Sequence, residues 1–244
     1  APSTTSMLEP KLQQTDAERI HLKQQFARPE VRTAFLSKAS GVVAAQVLFT
    51  VAIIFALRLA PHIGLQLMPA SPGLFMLAMA PALALSLSPA LAEATLWGPL
   101  LLALFTLLTG LGLGASTLRL PAGILIRAGA ATLAAASGLA TYATTTRRDF
   151  TAKRGMLASG MLALLVMGLL QLVLGGPWIA SARAYVGALV FSAYLVHDAQ
   201  LIAGGGKTYQ LRPTQHILGA MMIYQDLLNL FLTVLQAMAR NREN

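Results

Sequence analysis

The sequence predicts an all-α polytopic membrane protein, a bundle of seven transmembrane helices. Hydrophobic residues fill 56% of the 244 positions and charged residues only 11%, with a mean hydropathy of +0.64. Apolar runs recur along the chain, each near the ~20 residues that a helix needs to cross a bilayer. The runs are rich in Ala and Leu and modest in β-branched residues. Backbone groups in lipid must be satisfied within the segment, which favours helices over a barrel.

Residues 1–38 form a polar N-terminal segment, 39–240 the seven-helix membrane domain and 241–244 a polar C-terminal tail. In the N-terminal segment Thr15 and Asp16 offer a helix cap. Ala17 to Phe26 can then form a short helix on the membrane surface or on a partner; a solvated tail is the simpler alternative. The chain begins at Ala1, as expected after trimming of a Met before a small residue or removal of a targeting peptide. The spans are expected at 40–60, 72–90, 97–118, 122–144, 155–175, 178–203 and 216–239. In the third, Gly110 and Gly114 supply a small-xxx-small face with Gly112 between them, and the fourth is almost bare of bulk from Ala128 to Ala143. Such faces serve close helix packing. Met156, Met161, Met167, Met221 and Met222 read as gap filling in a membrane core rather than as a ligand surface.

The net charge of +9 raises nucleic acid as a partner, but the basic residues fall mostly between apolar runs, where they set orientation. Lys11, Arg19, Lys23, Arg28, Arg32 and Lys38 precede the first span; Arg147, Arg148, Lys153 and Arg154 lie between the fourth and fifth; Lys207 and Arg212 lie between the sixth and seventh. The opposite face carries Arg58, Arg119, Arg127, Arg183, Arg240 and Arg242. The imbalance places the N-terminus in the cytosol or its organellar equivalent. Arg147, Arg148, Lys153 and Arg154 then anchor topology, with a pocket for lipid headgroups as the sharper alternative. The lipid bilayer, and no nucleic acid, is the expected partner. With no cysteine, disulfides, thiolate metal sites, haem attachment and cysteine nucleophiles are all excluded.

Asp198 and Asp226 are the candidate site, because each lies inside a long apolar stretch. A carboxylate in hydrocarbon is expensive and marks a functional position by default. An antiparallel hairpin leaves the two at similar depth: Asp198 is about 9 Å of helix rise before Gly204, and Asp226 about 13 Å past Ile217. Two carboxylates at low dielectric cannot both ionise cheaply, so a pair would hold one proton and titrate as a unit. The bland alternative gives each acid its own separate neighbour. Tyr194, His197, Gln200, Tyr224, Gln225 and Asn229 add an unusual density of polar groups around them, of which His197, Gln200, Tyr224 and Asn229 are the supporting candidates. A histidine beside an acid can relay protons or raise the pH at which a switch acts, or it can be a packing residue.

Enzyme chemistry is not expected. Paired intramembrane aspartates also describe an aspartyl protease, but no Gly-x-Gly precedes either one; Val196-His197 and Tyr224-Gln225 do. The last span has no lysine for a retinal Schiff base, and His21, His62, His197 and His216 show no paired ligand spacing. No metal and no cofactor is called for, calcium or another cation entering only as a permeant ion.

Arg32-Thr-Ala-Phe-Leu-Ser-Lys38 with Gln46-Val-Leu-Phe-Thr50, Leu104 to Gly114, Tyr142 to Thr151, Val190 to Gln200, and Gly204 to Pro213 leading to Tyr224-Gln-Asp-Leu-Leu-Asn-Leu-Phe231 stand out as a series. Together they resemble the transmembrane Bax-inhibitor-motif family in its Lifeguard-like branch. The resemblance runs in order from about 31 to 240. It implies six spans around a central, more polar last one, with Asp198 and Asp226 facing each other as a pH sensor. In the family the pair shares a proton when the pathway is closed, and its ionisation is linked to a slow calcium leak. His197 stands where relatives commonly carry an aromatic. Some bacterial relatives pair an arginine near the end of the second span with the aspartates; here Ser86 to Trp97 offers only Glu93, either an exposed loop acid or a cation attractor.

Two functions therefore stay open. One is a proton-sensitive calcium or cation leak with an ion-homeostasis role. The other is a structural accessory subunit of a larger complex, with the mitochondrial inner membrane as one setting, docked through the N-terminal segment and the Ala/Gly-rich helix faces. A eukaryotic organelle membrane, mitochondrial or endomembrane, suits either.

Overall fold

The computed structural model describes residues 16–203 and 211–240, all helix and connection with no strand among them. Short helix α1 (Asp16–Phe26) precedes α2 (Pro29–Leu59), α3 (Pro61–Leu67), α4 (Ser71–Leu87), α5 (Pro89–Glu93), α6 (Trp97–Ser116), α7 (Ala122–Thr145), α8 (Arg154–Leu174), α9 (Pro177–Ile202) and α10 (His216–Arg240). Seven of the helical stretches are long and apolar enough to cross a membrane, α3 and α4 together counting as the second. Thr15, the 241–244 tail with Arg242, Lys207 and the Gly-rich start of the 204–213 segment lie outside the described residues.

Punctuation in the sequence sets many of the boundaries. Proline opens α2, α3, α5 and α9, where its missing N–H is no loss and its φ is already helical. Gly175 (φ 64°) and Gly176 (φ 93°) end α8 and turn the chain into α9, in a backbone region that residues with a Cβ rarely enter.

The first span starts earlier than its hydropathy indicates. Residues 29–38, read as part of the polar segment, are the opening turns of α2. Phe26 of α1 meets Phe35 of α2 edge to face at 5.4 Å, and both are buried with Ala39, Leu201 and Ile202. The short helix is thus tied to the bundle by its apolar face.

Helix α10 occupies the middle, touching α2, α4, α5, α6, α7 and α9. Five of the other six spans therefore surround it. The remaining one, α8, packs chiefly on α9 at the outside. The main core joins Ala78, Leu85, Leu102, Phe105, Met221, Tyr224 and Leu228. Gly110 and Gly114 lie against Ile53 and Leu57, so the small face of α6 receives α2. Of the methionines read as core filling, Met221 is buried, whereas Met156 and Met161 on α8 are exposed; an outer helix has no core to fill.

Candidate functional site

Asp198 sits one turn before the end of α9 and Asp226 in the middle of α10, the pair of helices with the most extensive contact in the fold. The two residues are 5% and 6% exposed, which is low enough to keep both out of solvent and lipid. The Asp226 carboxyl lies close enough to the Asp198 carboxyl for the two to act on each other directly. Ionised carboxylates only accept hydrogen bonds, so a bond between two of them requires a proton on one.

His197 is also buried, and its Nδ1 is 2.6 Å from Asp198 Oδ1. Its Nε2 and the Oδ2 of Asp226 are buried without a hydrogen-bond partner. Tyr194, one turn back along α9, is close enough to feel the charge of both aspartates and of Arg154 at the start of α8.

The other residues named from sequence divide between this site and its neighbours. Tyr224 precedes Asp226 by two positions, about 200° around the helix, and faces the opposite way. Its hydroxyl meets Thr50 Oγ1 at 2.7 Å and Thr109 Oγ1 at 3.1 Å, and its ring meets Phe105 edge to face. Gln46 Nε2 donates to Thr106 Oγ1 at 2.9 Å in the same layer. Tyr224 therefore belongs to a buried hydroxyl cluster that fastens α10 to α2 and α6. Asn229 is half-buried on α10.

Gln200 closes the end of the bundle at which α2 begins. Its Nε2 donates to Arg148 O at 2.9 Å and to Ala143 O at 3.3 Å, while its Oε1 accepts from Phe150 N at 2.9 Å. One side chain thus holds the end of α7 and the connection to α8. A cavity of about 80 Å³ beside it is lined by Arg32, Thr144, Thr146, Arg148, Asp149 and Gln200, among others. Asp198 lies about 3 Å of helix rise beneath.

Arg147, Arg148, Lys153 and Arg154 are exposed at that same end. Lys153 lies over the Phe150 ring at 5.5 Å, and Asp149 Oδ1 accepts from Thr151 N and Oγ1. Glu93 is exposed at the end of α5.

Gln46, Thr50, Thr106 and Thr109 were not singled out from sequence as site candidates. Thr50, Thr106 and Thr109 each donate to the carbonyl four residues back, which hides a hydroxyl inside an apolar run. The available signal was their spacing, since Thr106 and Thr109, three apart, share a helix face.

Residues 32–243 match the family described as "Inhibitor of apoptosis-promoting Bax1". Protein lifeguard 3 of Homo sapiens is 27% identical over 217 residues, covering 86% of this chain and 69% of the relative. Protein lifeguard 4 of Mus musculus is 29% identical over 213 residues, covering 86% of both chains. A BI1-like protein of Arabidopsis thaliana is 28% identical over 216 residues, covering 86% of this chain and 82% of the relative.

Proposed function

The chain belongs to the Bax inhibitor family, and from that premise we propose that it is a proton-sensitive cation leak of an organelle membrane, calcium being the leading permeant ion. The single observation that supports this most is the close approach of Asp198 and Asp226, both buried, across the α9–α10 interface.

The shared proton makes the two acids one attractive unit. Removing it puts two negative charges side by side at low dielectric, where their repulsion is far stronger than in water. Separation of α9 from α10 relieves that repulsion, and the proton equilibrium is thereby coupled to helix position. The titratable and charged groups around the pair are His197 and Tyr194 on α9 and Arg154 on α8. Arg32 of α2 with Arg148 and Asp149 lies at the nearby end of the bundle.

The sign follows. Low pH keeps the shared proton and the closed arrangement, and high pH removes it. Calcium efflux from vesicles holding the purified protein is expected to rise as pH is raised, above the rate of protein-free vesicles. Efflux that stays flat across the titration would overturn the proposal.

A second reading, as an accessory subunit of a membrane assembly, is supported by the outer helices. Gly129 and Gly138 of α7 and Gly155 and Gly168 of α8 have open space where a Cβ would stand. Small residues usually mark faces where helices approach closely. On this reading, native gels and mass spectrometry of gently solubilised membranes should find the chain within a larger complex. Migration solely as a monomer would refute it.

A further inference from the structure

We propose that the groove between α8, α9 and α10, at the end of the bundle opposite the start of α2, binds the headgroup of an anionic phospholipid. The groove holds about 490 Å³ and is lined by Gln171, Gly175, Gly176, Pro177, Gln236 and Arg240, with Ala239 beside them. That volume falls in the roughly 300–1,000 Å³ range of small-ligand sites.

Charge selects an anion. Arg240 Nη1 donates to Pro177 O at 2.8 Å, which fixes the guanidinium at the rim and leaves most of its donors for other acceptors. Arg183 Nη2 reaches Gln236 Oε1 at 3.5 Å, while Arg183 Nε is buried with no partner. Arg58, Arg119, Arg183 and Arg240 all belong to this end of the bundle, and none of its described residues is Asp or Glu. A planar guanidinium presents paired donors to phosphate oxygens, and basic pockets between transmembrane helices bind anionic headgroups.

The orphaned acceptor sharpens the ligand. Gln171 Oε1 is buried without a partner, so a headgroup that also carries a hydroxyl, as phosphoglycerol does, satisfies Arg240 and Gln171 together, with Arg183 adding its charge from behind Gln236. No side chain fills the space beside Gly175.

The groove also opens where a lipid would lie. Trp178 is 72% exposed next to it, and Leu172, Leu169, Leu165 and Leu162, exposed on one face of α8, present an apolar strip leading away from it. Tryptophan gathers at the membrane–water boundary. The strip supplies a lane for acyl chains, which a free phosphate would not use.

Full-length protein exposed to equimolar phosphatidylglycerol and phosphatidylcholine of identical acyl chains, then analysed by native mass spectrometry, tests the proposal. The wild type should retain phosphatidylglycerol about tenfold over phosphatidylcholine, equivalent to roughly 1.4 kcal/mol. Arg183→Gln with Arg240→Gln should bring the ratio near parity, and Arg183→Lys with Arg240→Lys should keep much of it. Arg240→Gln alone, at the last turn of α10, guards against misfolding of the double variant and should lower the ratio while leaving the melting temperature in phosphatidylcholine unchanged. Equal retention of both lipids by the wild type, or a preference that survives in the Gln variants, overturns the site. Displacement of phosphatidylglycerol by millimolar inorganic phosphate overturns the lipid as its occupant.

Discussion

Protein with Asn at both Asp198 and Asp226 is expected to show no pH-dependent calcium efflux, falling to the level of protein-free vesicles at every pH tested. An amide matches a carboxyl in shape and carries its own donors, so two Asn side chains bond to each other permanently without a titrating proton. The helices stay in the closed arrangement while the packing survives. The single variants separate charge from contact. In Asp198→Asn the amide donates to Asp226 at any pH, and efflux should again lose its pH dependence. Asp226→Ala removes the partner and leaves the buried Asp198 short of a hydrogen bond, at a cost of about 1–3 kcal/mol. That variant should melt earlier than the Asn variants. Efflux unchanged in the double Asn protein would eliminate the carboxyl switch, whatever the wild type conducts.

Gly187→Ala should destabilise the protein strongly for a change that adds only one carbon. A Cβ at this position would stand 2.6 Å from Thr233 Cγ2, with Leu164 Cδ2 of α8 at 3.7 Å. Thr233 cannot easily turn away, because its branched side chain has few rotamers and its Oγ1 donates to Leu230 O at 2.8 Å. The helices must part, and overpacking of this kind costs about 1–3 kcal/mol. Gly187 is about 16 Å of rise from Asp198 on α9, and Thr233 about 10 Å from Asp226 on α10. Spreading the helices there tilts the same interface that carries the carboxyl pair, so efflux at low pH should rise along with the loss of stability. Thr233→Ala added to Gly187→Ala removes the colliding methyl, and both properties should return towards wild type. A double variant that melts no higher than Gly187→Ala would place the strain elsewhere.

Hydropathy carried the architecture from sequence to structure with little loss, because a spanning helix advertises its whole length in lipid. It failed at the edges of the bilayer. Residues 29–38 are helical yet polar, and nothing in their composition distinguishes a helix rising out of the membrane from a surface segment. Helix α3 was missed for a related reason: Pro61 reads as a break, although proline is at home in a first turn. At the site, the two aspartates stand out in the sequence because a carboxyl in an apolar run is expensive, while their pairing is one of two readings it allows. Gln200 was grouped with them by proximity along the chain. Two residues on a helix point about 200° apart, and its hydrogen bonds go to the α7–α8 connection instead. The same geometry turns Tyr224 away from Asp226 and into the hydroxyl cluster. Periodicity was available for both and would have separated them. The threonines of that cluster were silent because a hydroxyl bonded to its own helix reads as nearly apolar.

Arg58 ends α2 by donating to Thr117 O at 3.0 Å and Leu120 O at 2.7 Å, the last carbonyls beyond α6. These acceptors are made some sixty residues after the arginine, so the clasp cannot close until the third crossing has emerged from the insertion machinery. Once Leu120 has been added, the first and third crossings hold every group needed to lock in register, before the carboxyl-bearing helices exist.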